Sequence, residues 1–173
     1  VFHQTPFFVT DQREQGFEET IKKEYPDIEI VAQQGIAGPD FAGDAQAAAN
    51  AMLTQNPTLD GIWAVWAVPG EGVMAAARAS GRSDLLITTV DLETPVAISL
   101  ASNGLVKGLS SQLPFDQGIA EAKIAGYGLL GKKAPPFVVV PPLPVTHDNV
   151  LEAWRTVYHE EPPANLKDSY EQK

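Results

Sequence analysis

The residue types best suited to chemistry stand at the ends of apolar runs. Trp66 ends the run at 61–66 ("GIWAVW"), Asp91 follows "DLLITTV", and Gln112 ends "VKGLSSQ". Thr10, Asp11 and Arg13 stand at the start of the first amphipathic pattern. An aromatic face, a carboxylate, an amide and a guanidinium on one sheet edge can recognise a polyhydroxylated ring. Carboxylate and guanidinium make charge-assisted hydrogen bonds to hydroxyls, and an amide both donates and accepts. An indole covers the ring's C–H face.

A second chemistry competes for the same stretch. "GEGVMA" at 70–75 matches the G-x-G-x-x-G/A phosphate fingerprint between a strand and a helix, and Asp91 lies 19 positions beyond Gly72. In a nucleotide-dependent enzyme those glycines would seat a pyrophosphate on a helix N-terminus. Three features favour a plain strand-to-helix turn. Glu71 sets a carboxylate against the pyrophosphate, Pro69 removes an N–H and reads as a first-turn helix residue, and two βα units precede this one. No dinucleotide cofactor is therefore expected.

Other chemistries find little support. His3, His147 and His159 are scattered without metal-ligand spacing, so no metal is assigned. The sequence has no Cys, no G-x-S-x-G and no convincing Ser-His-Asp set, and no enzymatic activity is expected. A formal charge of −10 argues against a nucleic-acid or anionic-membrane surface. Each candidate also has a structural reading. Trp66 fits a ligand face and a plug at a sheet edge equally well, whereas Trp63, three residues earlier, reads as core. Asp91 could partner the helix N-terminus near Thr94, but its strand-end position favours a ligand role. Arg13 could be a solvated helix residue, as Glu14 and Glu18 are read to be.

The elements that must position these residues alternate. Helices are predicted at 12–25, 45–56, 69–80, 95–102, 114–130 and 148–158. Strands are predicted at 1–3, 27–34, 60–66, 84–90, 106–112 and 137–140, with loops at 4–11 and 35–44 and a polar, Pro-rich tail after 158. Repeated βα units imply an α/β fold: an open, doubly wound parallel sheet with helices on both faces. Ligands in such sheets bind beyond the carboxyl ends of the strands. The chain begins Val-Phe-His inside a predicted strand, and is expected to be a mature piece or excised lobe of something longer.

The strings "RxxGFxxxI" (13–21), "LTQNPTLDGIWA" (53–64), "AARASGRSDLLITTVD" (76–91) and "GLSSQLPFDQG" (108–118) resemble the C-terminal lobe of periplasmic sugar-binding proteins of the ribose-binding type. The resemblance covers nearly the whole chain in order. It implies a periplasmic-binding-protein type I lobe from a two-lobed periplasmic receptor, which closes like a hinge on a sugar or polyol and delivers it to an ABC permease in the membrane. Carried over, Arg13 matches the family's ligand-binding Arg, Asp91 the carboxylate that takes sugar hydroxyls, Gln112 the amide at the hinge, and Phe41 an aromatic that lines the sugar. The chain departs at Trp66-Ala67, where many relatives carry Asn-Asp. Pro6-Phe7-Phe8 is also unusual, being similar to a string in the first loop of the family's other lobe.

By the same resemblance, 1–112 form the lobe's α/β core. Residues 113–135 form the hinge crossing and a helix belonging to a missing N-terminal lobe, and 136–173 return. The apolar face of that helix (Ile119, Ala122, Ala125, Tyr127, Leu129, Leu130) is expected to bury itself against the chain's own sheet edge or a second copy, by segment exchange. The rival within the same architecture is the effector domain of a sugar-responsive transcriptional repressor, which needs a basic helix-turn-helix not found in these residues.

Overall fold

A computed structural model describes residues 1–171. In chain order the elements are β1 (Phe2–His3), α1 (Phe8–Glu24), β2 (Gly35–Ile36), α2 (Phe41–Gln55), β3 (Gly61–Trp63), α3 (Ala67–Ala79) and β4 (Leu86–Val90). They continue as α4 (Thr94–Ala101), β5 (Val106–Ser111), α5 (Pro114–Leu129), β6 (Leu143–Val145), a 3-10 turn (His147–Asn149), α6 (Val150–Tyr158) and α7 (Ala164–Glu171).

The main sheet has four strands in the order β3-β4-β5-β6, the first three parallel and β6 antiparallel. β1 and β2 form a separate parallel pair, and the Val1 nitrogen donates to the Trp63 carbonyl at 2.7 Å, setting that pair beside β3. The register aligns Ile62 with Ile87 and Ile87 with Val106, so these buried side chains share one face. Thr89 lies two residues beyond Ile87 on the same face, directly beneath Gly70 of α3. α3 therefore covers this face, flanked by α2 and α4. The opposite face presents Trp63, on which Phe17 of α1 stacks at 4.7 Å. Helices thus lie on both faces, but α1 leaves Leu86 on its side 48% exposed.

Several elements differ from the sequence expectation. α1 begins at Phe8, inside the predicted loop. Residues 27–34 form no strand despite their β-rich alternation; Ile28 and Val31 remain exposed, and the pairing with β1 falls to Gly35–Ile36, read as loop. A strand needs a ladder partner, and the short β1 offers too few positions to recruit a longer one. β3 stops at Trp63, so Trp66 caps a helix rather than ending a strand. Residues 137–140 are not a strand; Pro pairs flank them, and Leu143–Val145 take the free edge of β5 in antiparallel sense. The polar tail contains α7, which docks on α4 and buries Leu166 completely. Its Pro162-Pro163 lead-in is a helix-start signal.

Candidate functional site

Each helix of the core starts at one end of the sheet, and those starts bring the candidate residues together. Trp66 is the N-cap of α3, in extended backbone and without a side-chain cap bond. Phe41 opens α2, whose N-cap Asp40 accepts a hydrogen bond from the Gly43 N–H at 2.9 Å. Asp44 Oδ2 accepts from the Gly38 N–H at 2.8 Å and fixes the preceding loop. Gly38 lies at φ +73°, and a Cβ there would meet the Phe41 ring at 2.5 Å, so only glycine lets the ring lie over this turn.

The rings support one another. Phe41 and Trp66 meet edge to face at 5.1 Å, and His3 meets Phe41 at 5.5 Å and Trp66 at 5.6 Å, all near right angles. Such pairs add about 0.5–1.5 kcal/mol each beyond area burial and hold the wall in one arrangement.

Opposite the rings runs a polar string. Gln112 Nε2 donates to Asp91 Oδ1 at 2.7 Å, while Arg13 lies 3.6 Å from Asp91 Oδ2 and donates to the Val65 carbonyl at 3.1 Å. Asp91 follows β4 at φ +73°, in the left-handed region, and its N–H is tied to the Ser110 carbonyl at 2.9 Å. A non-glycine residue held there is a strained position of the kind that collects at ligand sites. The helix-capping alternative does not form: the N-cap of α4 is Glu93, and it makes no side-chain cap bond.

One concavity of about 390 Å3 is lined by all five residues singled out in the sequence: Arg13, Phe41, Trp66, Asp91 and Gln112. His3, Phe7, Val9 and Thr10 complete it. His3 was set aside as a scattered histidine, yet it ends β1, a strand-end position like that of Asp91 beyond β4. Thr10 is buried, donates to the Phe7 carbonyl at 3.0 Å and lies 3.5 Å from His3 Nδ1. A concavity of about 440 Å3 lies among the C-terminal ends of α3 and α4, at the opposite end of the strands. Its Arg82 is engaged with Asp84 and with the Pro57 and Leu59 carbonyls.

The field around the first pocket is negative. Burial raises the Glu93 pKa, and Glu71 and Asp91 raise it further. Burial, with Glu93 and Asp91 nearby, also raises that of Tyr158, whose O–H donates to the Leu92 carbonyl. Such a rim disfavours anionic ligands and suits neutral ones.

The fingerprint glycines have a different use. Gly70 and Gly72 are buried inside α3, and a Cβ on Gly72 would lie 2.1 Å from the Ala42 carbonyl of α2. Gly72 is small because two helices cross closely there. Pro69 sits in the first turn, as its position suggested.

Among the described residues no cluster of three or more His, Asp or Glu suits a metal, and no helix is long and apolar enough to cross a membrane. Comparison with known proteins agrees with the geometry. The D-apiose import binding protein of Actinobacillus succinogenes is 31% identical over 105 residues, 61% of this chain and 33% of that protein. An ABC transporter periplasmic solute-binding protein of the same organism, with bound D-allose, superposes at a TM-score of 0.76 with 25% identity over 86% of this chain and 52% of its own. A Mycobacterium smegmatis protein in complex with β-D-fucofuranose shares the fold at a TM-score of 0.79 and 23% identity, covering 99% of this chain and 54% of its own. The chain thus spans about half the length of these solved relatives and a third of the curated one. The profile of the periplasmic binding protein domain matches residues 5–133, and the chain belongs to that family.

Proposed function

We propose that this chain is the C-terminal lobe of a periplasmic solute receptor that binds a neutral sugar or similar small polyol for an ABC importer. The observation that carries the reading is the single pocket in which Trp66 and Phe41 stand opposite Asp91, Arg13 and Gln112. Aromatic wall and hydroxyl-binding edge together are what a sugar ring needs. The D-allose held by one relative and the D-apiose import named for another support a sugar ligand here.

The second half of the cleft comes from a companion lobe. Residues 1–112 are the core of this lobe, 113–135 cross into the companion, and 136–173 return. Two observations support that division. α5 buries none of its residues and packs only against α6, with Phe115 stacked on His159 at 3.9 Å. The chain's own sheet edge does not cover it, contrary to one of the two expectations, because β6 already occupies the free edge of β5. A second copy exchanging the segment would serve where the companion is absent. Closure about Gln112–Pro114 would then bring both lobes onto the ligand.

The test is calorimetric titration of the two-lobed protein with a panel of aldoses, ketoses and polyols. Saturable binding of at least one neutral sugar is expected. Binding confined to amino acids, anions or nucleotides would overturn the reading.

A further inference from the structure

The pocket has two unlike walls, and the difference restricts the ligand further, on the reading that this is a sugar site. Arg13, Asp91 and Gln112 stand together at the ends of β4 and β5 and the start of α1. Across from them, Phe41 and Trp66 join Phe7 and Val9 in an almost entirely apolar surface. The β3 end supplies no oxygen-bearing side chain: Val65 and Ala67 are fully buried, and the Val65 carbonyl already accepts from Arg13. On this side the polar atoms are the Trp66 indole N–H and the ring nitrogens of His3, whose Nδ1 faces Thr10.

A hydroxyl pressed against that wall would lose water and gain little in return, whereas a methyl or methylene would gain contact with the rings. The ring cluster is fixed by its own edge-to-face contacts, so it does not turn aside to admit an oxygen. We infer that the ligand is a sugar deoxygenated or alkylated at one end, with its hydroxyls gathered on the edge that meets Asp91, Arg13 and Gln112.

The experiment uses matched pairs that differ by one hydroxyl: 6-deoxy-D-galactose against D-galactose, 6-deoxy-D-glucose against D-glucose, and 5-deoxy-D-ribose against D-ribose. Each is titrated calorimetrically into the two-lobed receptor. The deoxy member of at least one pair should bind roughly tenfold or more tightly than its parent, the size expected for a hydroxyl left without a partner. Parents that bind as tightly as their deoxy partners, or more tightly, overturn this inference and leave the sugar-receptor reading intact. If no sugar of either kind binds, the receptor reading falls as well. The wild-type ratios decide the matter on their own. Trp66→Asn then assigns the preference to this wall: an amide there should bring the favoured pair to within about threefold, and an unchanged ratio rejects the assignment.

Discussion

α3 and α5 are helices of similar composition with opposite fates. Both mix alanine and glycine with a few larger apolar residues and carry Pro in the first turn. α3 buries Val73, Met74, Ala76 and Ala77 together with its glycines, whereas α5 buries nothing. What separates them is the surface opposite. The α2 backbone comes close enough to Gly72 that a single methyl would strike the Ala42 carbonyl, while Gly118, Gly126 and Gly128 of α5 have nothing within 4 Å. Small residues in α3 are the condition of close helix packing. In α5 they weaken the helix with no return from this chain, which fits a face shaped for the proposed companion lobe.

The sharpest way to break the contrast is to add the same methyl group to both helices. Gly72→Ala should destabilise the fold by about 3 kcal/mol, since the contact is with backbone that cannot turn away. Urea unfolding reports it as a lower midpoint, and a loss below about 0.5 kcal/mol would mean that the α2–α3 contact is looser than described. The next largest effect is on the pocket these helices hold. Asp91→Ala in the two-lobed receptor should weaken sugar binding by about 1.5–3 kcal/mol, since it removes an ionised acceptor. Unchanged affinity by calorimetry would remove Asp91 from the site.

The same methyl in α5 should do the reverse. Gly118→Ala and Gly126→Ala should each stabilise this 173-residue chain by about 0.5–1 kcal/mol, the ordinary gain for glycine replaced in an open helix. In the two-lobed protein that gain should shrink or change sign at whichever position the companion covers. Equal gains in both forms would show that the companion lobe does not rest on these glycines.

The same contrast explains how much could be read without a structure. Periodicity and breakers located α2, α3, α4 and α5 to within a few residues, because each has a regular pattern and a stop such as Pro57 or Gly81, which adopts φ +68°. The strand-end rule brought Trp66, Asp91 and Gln112 to one edge, and the family resemblance added Phe41. Partnership was not legible. Residues 27–34 have a strand's alternation but no ladder, and α7 has a tail's composition but a complete burial site for Leu166 on α4. Asp91 has no charge partner nearby in sequence, yet it meets Arg13 and Gln112 in space. Nor does the sequence say that His3 lies among three aromatic rings, since that follows from where β1 is set beside β3.

The smallest expected effect concerns α7, a docked helix half the length of the undocked α5. Glu161 stands between α6 and α7, accepting from Arg155 Nε at 2.9 Å and Nη2 at 3.1 Å, with Lys167 Nζ at 3.2 Å. These partners hold its pKa down at about 2, against an ordinary 4.5, with the Arg155 hydrogen bonds the largest cause. A carboxylate depressed by folding contributes stability above its unfolded pKa and loses it as pH falls toward the folded one. The contribution of Glu161 should therefore be whole at pH 6 and drain away between about 4.5 and 2. The cluster is exposed and salt-screened, so the effect is small, and the buried Leu166 keeps α7 docked without it. Glu161→Gln should lower the thermal midpoint slightly at pH 6 in low salt, with the gap to wild type closing by pH 2 and shrinking in 1 M NaCl. A gap that persists unchanged at pH 2 would assign the effect to packing, and α7 would then owe its position wholly to the apolar contact that α5 lacks.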